Sequence, residues 1–157
     1  NRLIVIMGAR TRNLIILEER MRALADELIL CTDDGSAGRK GLVTEPLKAV
    51  CARTPKPAAC VAIGPPIMMK FCAETTRPFD IKTLVSLNTI MVDGTGMCGG
   101  CRVTVGGKTR FVCVDGPEFD GHQVDFKELM DRQCIYLGDE QKSVDHYCSH
   151  GRKLVGD

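Results

Sequence analysis

The chain has 157 residues, 44% of them hydrophobic and 26% charged, with a net charge near +1, an ordinary globular composition that offers no electrostatic footprint for a nucleic-acid or membrane-surface partner. No apolar run approaches the length of a membrane span, and no signal peptide is recognisable. Nine cysteines, odd in number and locally clustered, suit a metal site in a reducing cytosol better than a disulfide scaffold, so a cytoplasmic location is expected.

From Asn1 the sequence enters an apolar, β-branched run, Leu3–Met7, as expected of a parallel strand buried on both faces and of a piece excised from a longer chain. Leu14, Leu17, Met21 and Leu24 recur at helical spacing and predict a helix from Leu14 to Ala25. Glu27–Thr32 reads as a second strand that ends in the turn-rich Asp33-Asp34-Gly35-Ser36-Ala37-Gly38. Thr44 is placed to cap a helix carrying Pro46 in its first turn and reaching about Ala52, where Thr54-Pro55-Lys56-Pro57 stops it. Ala59–Ile63 is a third strand, Gly64-Pro65-Pro66 a turn, Pro66 to about Thr75 a third helix and Ile81–Leu87 a fourth strand. Cys31, Cys51, Cys60 and Cys72 lie within these apolar elements and read as buried small hydrophobes.

Strands alternating with helices at this interval imply βαβ units and a parallel sheet. Right-handed crossovers gather the C-terminal ends of its strands on one edge, where ligands bind in open α/β sheets. Three loops there have suitable chemistry for a nucleotide. Gly8-Ala9-Arg10-Thr11 offers Arg10 to a phosphate or adenine, and Thr32-Asp33-Asp34-Gly35-Ser36 offers hydroxyls and carboxylates to a ribose. Gly64-Pro65-Pro66 opens a helix whose free N–H groups favour an anion or polarised ligand. Singly each is an ordinary turn; together they favour a nucleotide site, although the G-x-G-x-x-G pyrophosphate turn is absent. Arg10 suits a 2′-phosphate while Asp33 and Asp34 suit a free ribose hydroxyl, which leaves NAD and NADP both open.

The most informative segment follows the fourth strand. Asp93, Cys98, Cys101 and Cys113 are spaced D-x₄-C-x₂-C-x₁₁-C, the plant-type spacing for a [2Fe–2S] cluster with Asp in place of the first cysteine. Glycines between the ligands permit the tight wrap that such a loop needs. Arg102–Val105 and Lys108–Phe111 flank Gly106-Gly107, a two-residue hairpin signal that returns the chain to Cys113. Iron–sulfur ligation agrees with loop, spacing and hairpin together. A structural zinc site and free or disulfide-linked cysteines are the other readings, and Asp93 is also readable as a turn residue before Gly94. Cys134 and Cys148 lie outside the motif.

These segments resemble a known family. Gly8-Ala9-Arg10-Thr11, Thr32–Ser36 with Gly41, Ala62-Ile63-Gly64-Pro65-Pro66-Ile67-Met68-Met69, Val85-Ser86-Leu87-Asn88 and the Asp/Cys loop match, in order, the C-terminal part of ferredoxin–NADP⁺ reductase-like electron-transfer subunits. The match runs over about residues 1–133, and Val112-Cys113-Val114-Asp115-Gly116-Pro117-Glu118-Phe119-Asp120-Gly121-His122 makes it specific. It is stronger to the small subunits of NADH-dependent reduced ferredoxin:NADP⁺ oxidoreductase, also called sulfide dehydrogenase, than to the dihydroorotate dehydrogenase electron-transfer subunits. Asp93 in place of cysteine marks the former group.

The resemblance implies a subunit of three parts: an FAD-binding β-barrel, a nucleotide-binding α/β domain and a C-terminal [2Fe–2S] domain. In such subunits NAD(P)H reduces FAD, and electrons leave singly through the cluster to a larger flavin and iron–sulfur subunit, with ferredoxin a further candidate partner. Met69 joins the candidate cofactor contacts, although Met68 and Met69 also read as packing. The barrel is absent here, as are the first strand of the α/β domain and its glycine-rich turn, so a gap is expected between the strands Leu3–Met7 and Ala59–Ile63. Ile63 stands where many reductases of the broader family carry Cys near the nicotinamide. His122 reads as a surface-loop residue or as a neighbour of the cluster.

The expected architecture is therefore α/β. Residues 1–87 form a truncated doubly wound parallel sheet, and residues 88–133 a small [2Fe–2S] module with a β-hairpin and a short helix near Phe126–Asp131. Residues 134–157 form a polar tail, with His146, Cys148 and His150 only imitating a metal site. The expected function is that of an NAD(P)H-dependent oxidoreductase subunit. A non-catalytic electron-transfer module and a zinc-stabilised interaction domain are the alternatives.

Overall fold

The computed structural model describes residues 2–149. Along the chain the elements are β1 (Ile4–Ala9), a 3₁₀ turn at Arg12–Leu14, α1 (Glu18–Leu24), β2 (Glu27–Thr32), β3 (Arg39–Lys40), α2 (Thr44–Cys51) and β4 (Ala59–Ile63). They continue with α3 (Pro66–Thr76), a 3₁₀ turn at Arg77–Phe79, β5 (Lys82–Ser86), β6 (Arg102–Val105), β7 (Lys108–Phe111), α4 (Val112–Asp115), β8 (Glu118–Asp120), α5 (Phe126–Gln133) and α6 (Leu137–Ser149).

Three small sheets result. In the first, β1 pairs parallel with β2, Ile4 opposite Glu27 through Ala9 opposite Thr32, and β3 adds a short parallel rung on the far side of β2. In the second, β5 lies between β4, to which it is parallel, and β8, to which it is antiparallel. The third is the hairpin β6–β7, closed by Gly106 and Gly107 with Val105 opposite Lys108. β1 and β4 share no ladder, so each has one edge without a strand partner.

That open arrangement explains where the apolar residues sit. Leu3–Met7 was expected to be buried on both faces, yet Ile4–Met7 are only half-buried, and Val61 and Ile63 on β4 are 61% and 71% exposed. A parallel strand buries both faces only when neighbours and helices cover it, and here one neighbour is lacking. The expected helix from Leu14 is shorter for a related reason. Leu17 takes a left-handed φ of +56°, α1 begins only at Glu18, and Leu14, Ile16, Leu17 and Leu24 are all exposed. Thr44 is not a cap: the Leu47 N–H bonds the Val43 carbonyl, which makes Thr44 the first helical residue.

The core forms where α2 packs on α3 and α3 packs on α5. Met69, Ile81 and Val85 from the first half and Val103, Val112 and Leu129 from the second are almost fully buried within one cluster. The β8 strand crosses back to β5, so the boundary expected at 87/88 lies inside a shared core. Within the expected tail, residues 137–149 form α6, which buries none of its side chains. Residues 150–157 of that tail, His150 among them, lie outside the described residues.

Candidate functional site

Residues 88–101 leave β5 as an exposed loop and arrive at β6 with Cys101 buried at its foot. The hairpin then turns the chain through Gly106-Gly107 and delivers Cys113 on the single turn α4. As a result the Cys101 thiol donates to Cys113 Sγ at 3.2 Å, although twelve positions separate them. The Cys101 thiol beside it, with some desolvation, holds the Cys113 thiol above its ordinary range, while the Gly96 amide pulls the other way by bonding the Cys113 sulfur. Gly96 has φ +85°, and a Cβ there would lie 3.1 Å from Val114 Cγ2; only glycine lets the loop approach so closely.

The other two expected ligands form a second, more exposed pair. The Asp93 carboxylate accepts from the Thr95 amide at 2.8 Å and the Cys98 amide at 3.0 Å. These contacts, the Thr95 amide foremost, hold its carboxyl below the usual carboxylate range. Cys98 Sγ accepts from the Gly100 amide at 3.3 Å. The structure therefore brings together Cys101 with Cys113, and Asp93 with Cys98. It does not close the four into one centre: among the described residues no group of three or more His, Cys, Asp and Glu side chains is placed to hold a metal ion.

The loop is also held from outside by residues that carry no signal in the sequence. Gln133 Nε2 donates to the Asn88 carbonyl at 2.6 Å and Arg132 Nη2 to the Gly100 carbonyl at 3.0 Å, both from the last turn of α5. Arg102 Nη1 donates to the Gly99 carbonyl at 3.3 Å. Nothing in the sequence distinguishes these side chains from other polar residues on an exposed helix face or strand.

Of the candidate nucleotide loops, the first two meet. The Arg12 amide donates to Ser36 Oγ at 2.8 Å, and the Asp33 and Asp34 amides bond the carbonyls of Ala9 and Arg10. Asp34 accepts from both the Ser36 hydroxyl and the Ser36 amide, which lower its carboxyl from the ordinary range. Arg10, Asp33 and Gly35 are exposed beside them, and Ala9 and Thr11 are half-buried. Thr32 differs from expectation: it is fully buried, with its hydroxyl donating to the Ala37 carbonyl and accepting from the Ala37 amide, so it is not offered to a ribose. Gly64-Pro65-Pro66 belongs to the second sheet, where Pro66 is buried at the start of α3 and the Met69 amide bonds the Pro65 carbonyl. Met69 is fully buried in the core, which makes it a packing residue rather than a surface contact for a cofactor. His122 points inward instead of into a surface loop, its Nε2 lying 3.0 Å from Thr76 Oγ1.

Comparison with known proteins bears directly on the cysteine loop. Residues 88–125 match the family model of the iron–sulfur cluster binding domain of dihydroorotate dehydrogenase B. Over 147 residues the chain is 48% identical to a dihydroorotate dehydrogenase B (NAD(+)) electron transfer subunit homolog of Thermotoga maritima, covering 94% of this chain and 51% of the relative. The chain is homologous to the dihydroorotate dehydrogenase B electron-transfer subunits. A probable subunit of that kind from Methanocaldococcus jannaschii is 39% identical over 121 residues, 77% of this chain and 46% of the relative. A solved structure of the NADH-dependent reduced ferredoxin-NADP oxidoreductase superposes with a TM-score of 0.80 at 43% identity, covering 94% of this chain and 53% of that one. The chain thus spans about half the length of these homologues. Its resemblance to ferredoxin reductase-like electron-transfer subunits, its mixed α/β fold and its iron–sulfur binding domain stand on these matches. No helix among the described residues is long and apolar enough to cross a membrane.

Proposed function

We propose that this chain is the nucleotide-binding and [2Fe–2S]-bearing part of an oxidoreductase subunit that takes electrons from NAD(P)H by way of FAD in the whole protein and delivers them to a larger partner subunit. The observation that carries the reading is the 3.2 Å contact between Cys101 and Cys113, built by a hairpin inside the stretch that matches an iron–sulfur binding domain. Asp93, Cys98, Cys101 and Cys113 suit such a group chemically. Three soft thiolates and one carboxylate complete an iron–sulfur donor set, and the amides of Gly96 and Gly100 already face sulfurs whose negative charge they would oppose. When bound, the cluster supplies storage and release of one electron at a time. Loading it requires Asp93 and Cys98, both exposed, to close on buried Cys101 and half-buried Cys113.

NAD(H) or NADP(H) is assigned to the joined loops, with Gly8, Ala9, Arg10 and Thr11 on one side and Asp33, Asp34, Gly35 and Ser36 on the other. Gly64, Pro65 and Pro66 provide the start of α3. The unpaired edges of β1 and β4 fit a doubly wound sheet that lacks one strand between them.

Metal analysis of anaerobically purified protein tests the reading: iron and acid-labile sulfide are expected, and stoichiometric zinc would replace it with an interaction domain. Cys98→Ser is expected to abolish the visible chromophore; a fully coloured variant contradicts the ligand set. Adding NADH to the flavin-loaded whole protein is expected to bleach flavin absorbance, whereas a carrier without dehydrogenase function leaves it unchanged.

A further inference from the structure

Helix α5 is anchored to the body of the fold from its first turn onward. Asp125 caps it by accepting from the Glu128 amide at 3.0 Å, Glu128 in turn accepts from the Thr104 amide at 2.9 Å, and Phe126 and Leu129 are rooted in the core. The last turn has a second role. Its two consecutive side chains reach the two ends of the ligand-bearing loop, Gln133 at the Asn88 carbonyl and Arg132 at the Gly100 carbonyl. Between those points lie Asp93 and Cys98, and the residue after Gly100 is Cys101. A rigid helix thus clamps a glycine-rich loop at its entry and exit, and one of the two clamps carries a full positive charge.

The surroundings of that charge raise its effect. Arg132 is part-buried against a cavity of about 50 Å³ lined also by Ile90, Val92, Leu129 and Tyr136. Apolar walls screen a charge less than open water does. Among the described residues no carboxylate forms an ion pair with Arg132, so its charge is not cancelled locally. Adding one electron to an iron–sulfur centre adds one negative charge there, and a fixed cation nearby favours the reduced form.

We propose that Arg132 is a positioning residue of the iron–sulfur loop: it fixes the Gly100 carbonyl and, by its uncompensated charge beside Cys98–Cys101, raises the reduction potential of the centre held there. Gln133 is its neutral counterpart at the loop's entry, holding position without tuning. The assignment rests on the iron–sulfur reading of the loop given above.

The test is an EPR-monitored redox titration of the anaerobically purified whole protein and its Arg132→Gln, Arg132→Lys and Gln133→Leu variants, with amide hydrogen exchange over residues 89–99. For Arg132→Gln the reduced-to-oxidised ratio at the wild-type midpoint is expected to fall on the order of tenfold, ~59 mV for a one-electron couple. Arg132→Lys keeps the charge and is expected to restore most of that ratio. Gln133→Leu is expected to speed exchange in the loop while leaving the ratio within about twofold, the change in charge being nil. If Arg132→Gln loses its iron, retention of iron and potential by Arg132→Lys supports the assignment, and loss from both variants overturns it. An iron-loaded Arg132→Gln variant with the wild-type midpoint overturns it alone. Wild-type protein without iron or sulfide instead removes the underlying reading, and the inference falls with it.

Discussion

At position 93 a carboxylate stands with three cysteines in the proposed ligand set, and its contacts show what it contributes to the loop itself. It gathers the amides of Thr95 and Cys98 and so shapes the turn that presents Cys98. Oxygen is a harder donor than sulfur toward iron, so a thiolate at this position should bind more tenaciously. Asp93→Cys is expected to keep the visible chromophore and to bleach more slowly than wild type under a chelator; faster bleaching would argue that Asp93 is a turn residue only. The other cysteines divide by environment. Burial, the dominant cause, pushes the Cys60 and Cys72 thiols from an ordinary 9.0 to about 11. At pH 8 that leaves about a hundredfold less thiolate than an unperturbed thiol would have. Iodoacetamide with mass-spectrometric readout on metal-free protein is expected to modify exposed Cys98, Cys134 and Cys148 well before Cys60 and Cys72. Comparable rates at Cys60 and Cys72 would mean that the core opens readily. Residue by residue, the spacing of the proposed ligands and the glycines between them were legible because both are local properties of the sequence. Met69 fits its packing reading, whereas Thr32 and His122 differ from expectation because a hydroxyl and an imidazole look alike in sequence whether they face a ligand, Ala37 or Thr76.

The elements that sequence rendered well carry their own instructions. Gly106 and Gly107 have φ of +58° and +73°, the paired positive values of a type I′ turn, and the hairpin bounds follow from them. A Cβ on Gly107 would meet nothing within 4 Å, so Gly107→Ala isolates the backbone cost. A loss of about 1–2 kcal/mol in denaturant melts is expected, with Gly107→Asn costing less. A neutral Gly107→Ala would show that the turn is not of this type in solution. The elements that sequence rendered poorly depend on distant partners. β3 and β8 are two and three residues long and exist only because β2 and β5 receive them. Helix α6 is the opposite case, a helix with no buried face, signalled only by Asp139 and Glu140 in its first turn and by the Gln141–Asp145 and Lys142–Asp139 side-chain contacts. One further contact links elements electrostatically. Arg53, just beyond α2, grips Glu27 of β2 through both nitrogens, which lowers the Glu27 carboxyl from its ordinary 4.5. A carboxyl depressed on folding stabilises the fold above its unfolded value and loses that contribution as pH falls through the folded value. The Tm of Glu27→Gln is therefore expected to lie below wild type near pH 7 and to converge with it in acid below the ordinary carboxylate range. A gap that persists in acid would assign the effect to packing.

For the molecule as a whole, the decisive feature is that the parallel strands fall into two sheets in which β1 and β4 each keep an edge without a strand partner. Leucine, valine and isoleucine side chains that a continuous sheet would cover remain half-exposed along β1, α1 and β4, while the α3–α5 side has a dense core shared by both halves of the chain. The sequence conveyed the alternation of strands and helices, because hydrophobic period is a local property. It could not show how far β1 stands from β4, since that depends on what occupies the space between them. Open strand edges with apolar side chains are templates for intermolecular pairing. The 157-residue chain in isolation is accordingly expected to self-associate with rising concentration. Val61 is 61% exposed near the middle of β4, and lysine there places a charge on the unpaired edge without emptying a core position. Light scattering should show the Val61→Lys variant remaining monomeric at concentrations where the wild-type chain is dimeric or larger, with the Cys101–Cys113 side of the molecule unaffected. A wild-type chain that stays monomeric throughout would mean that the two edges close on each other in solution.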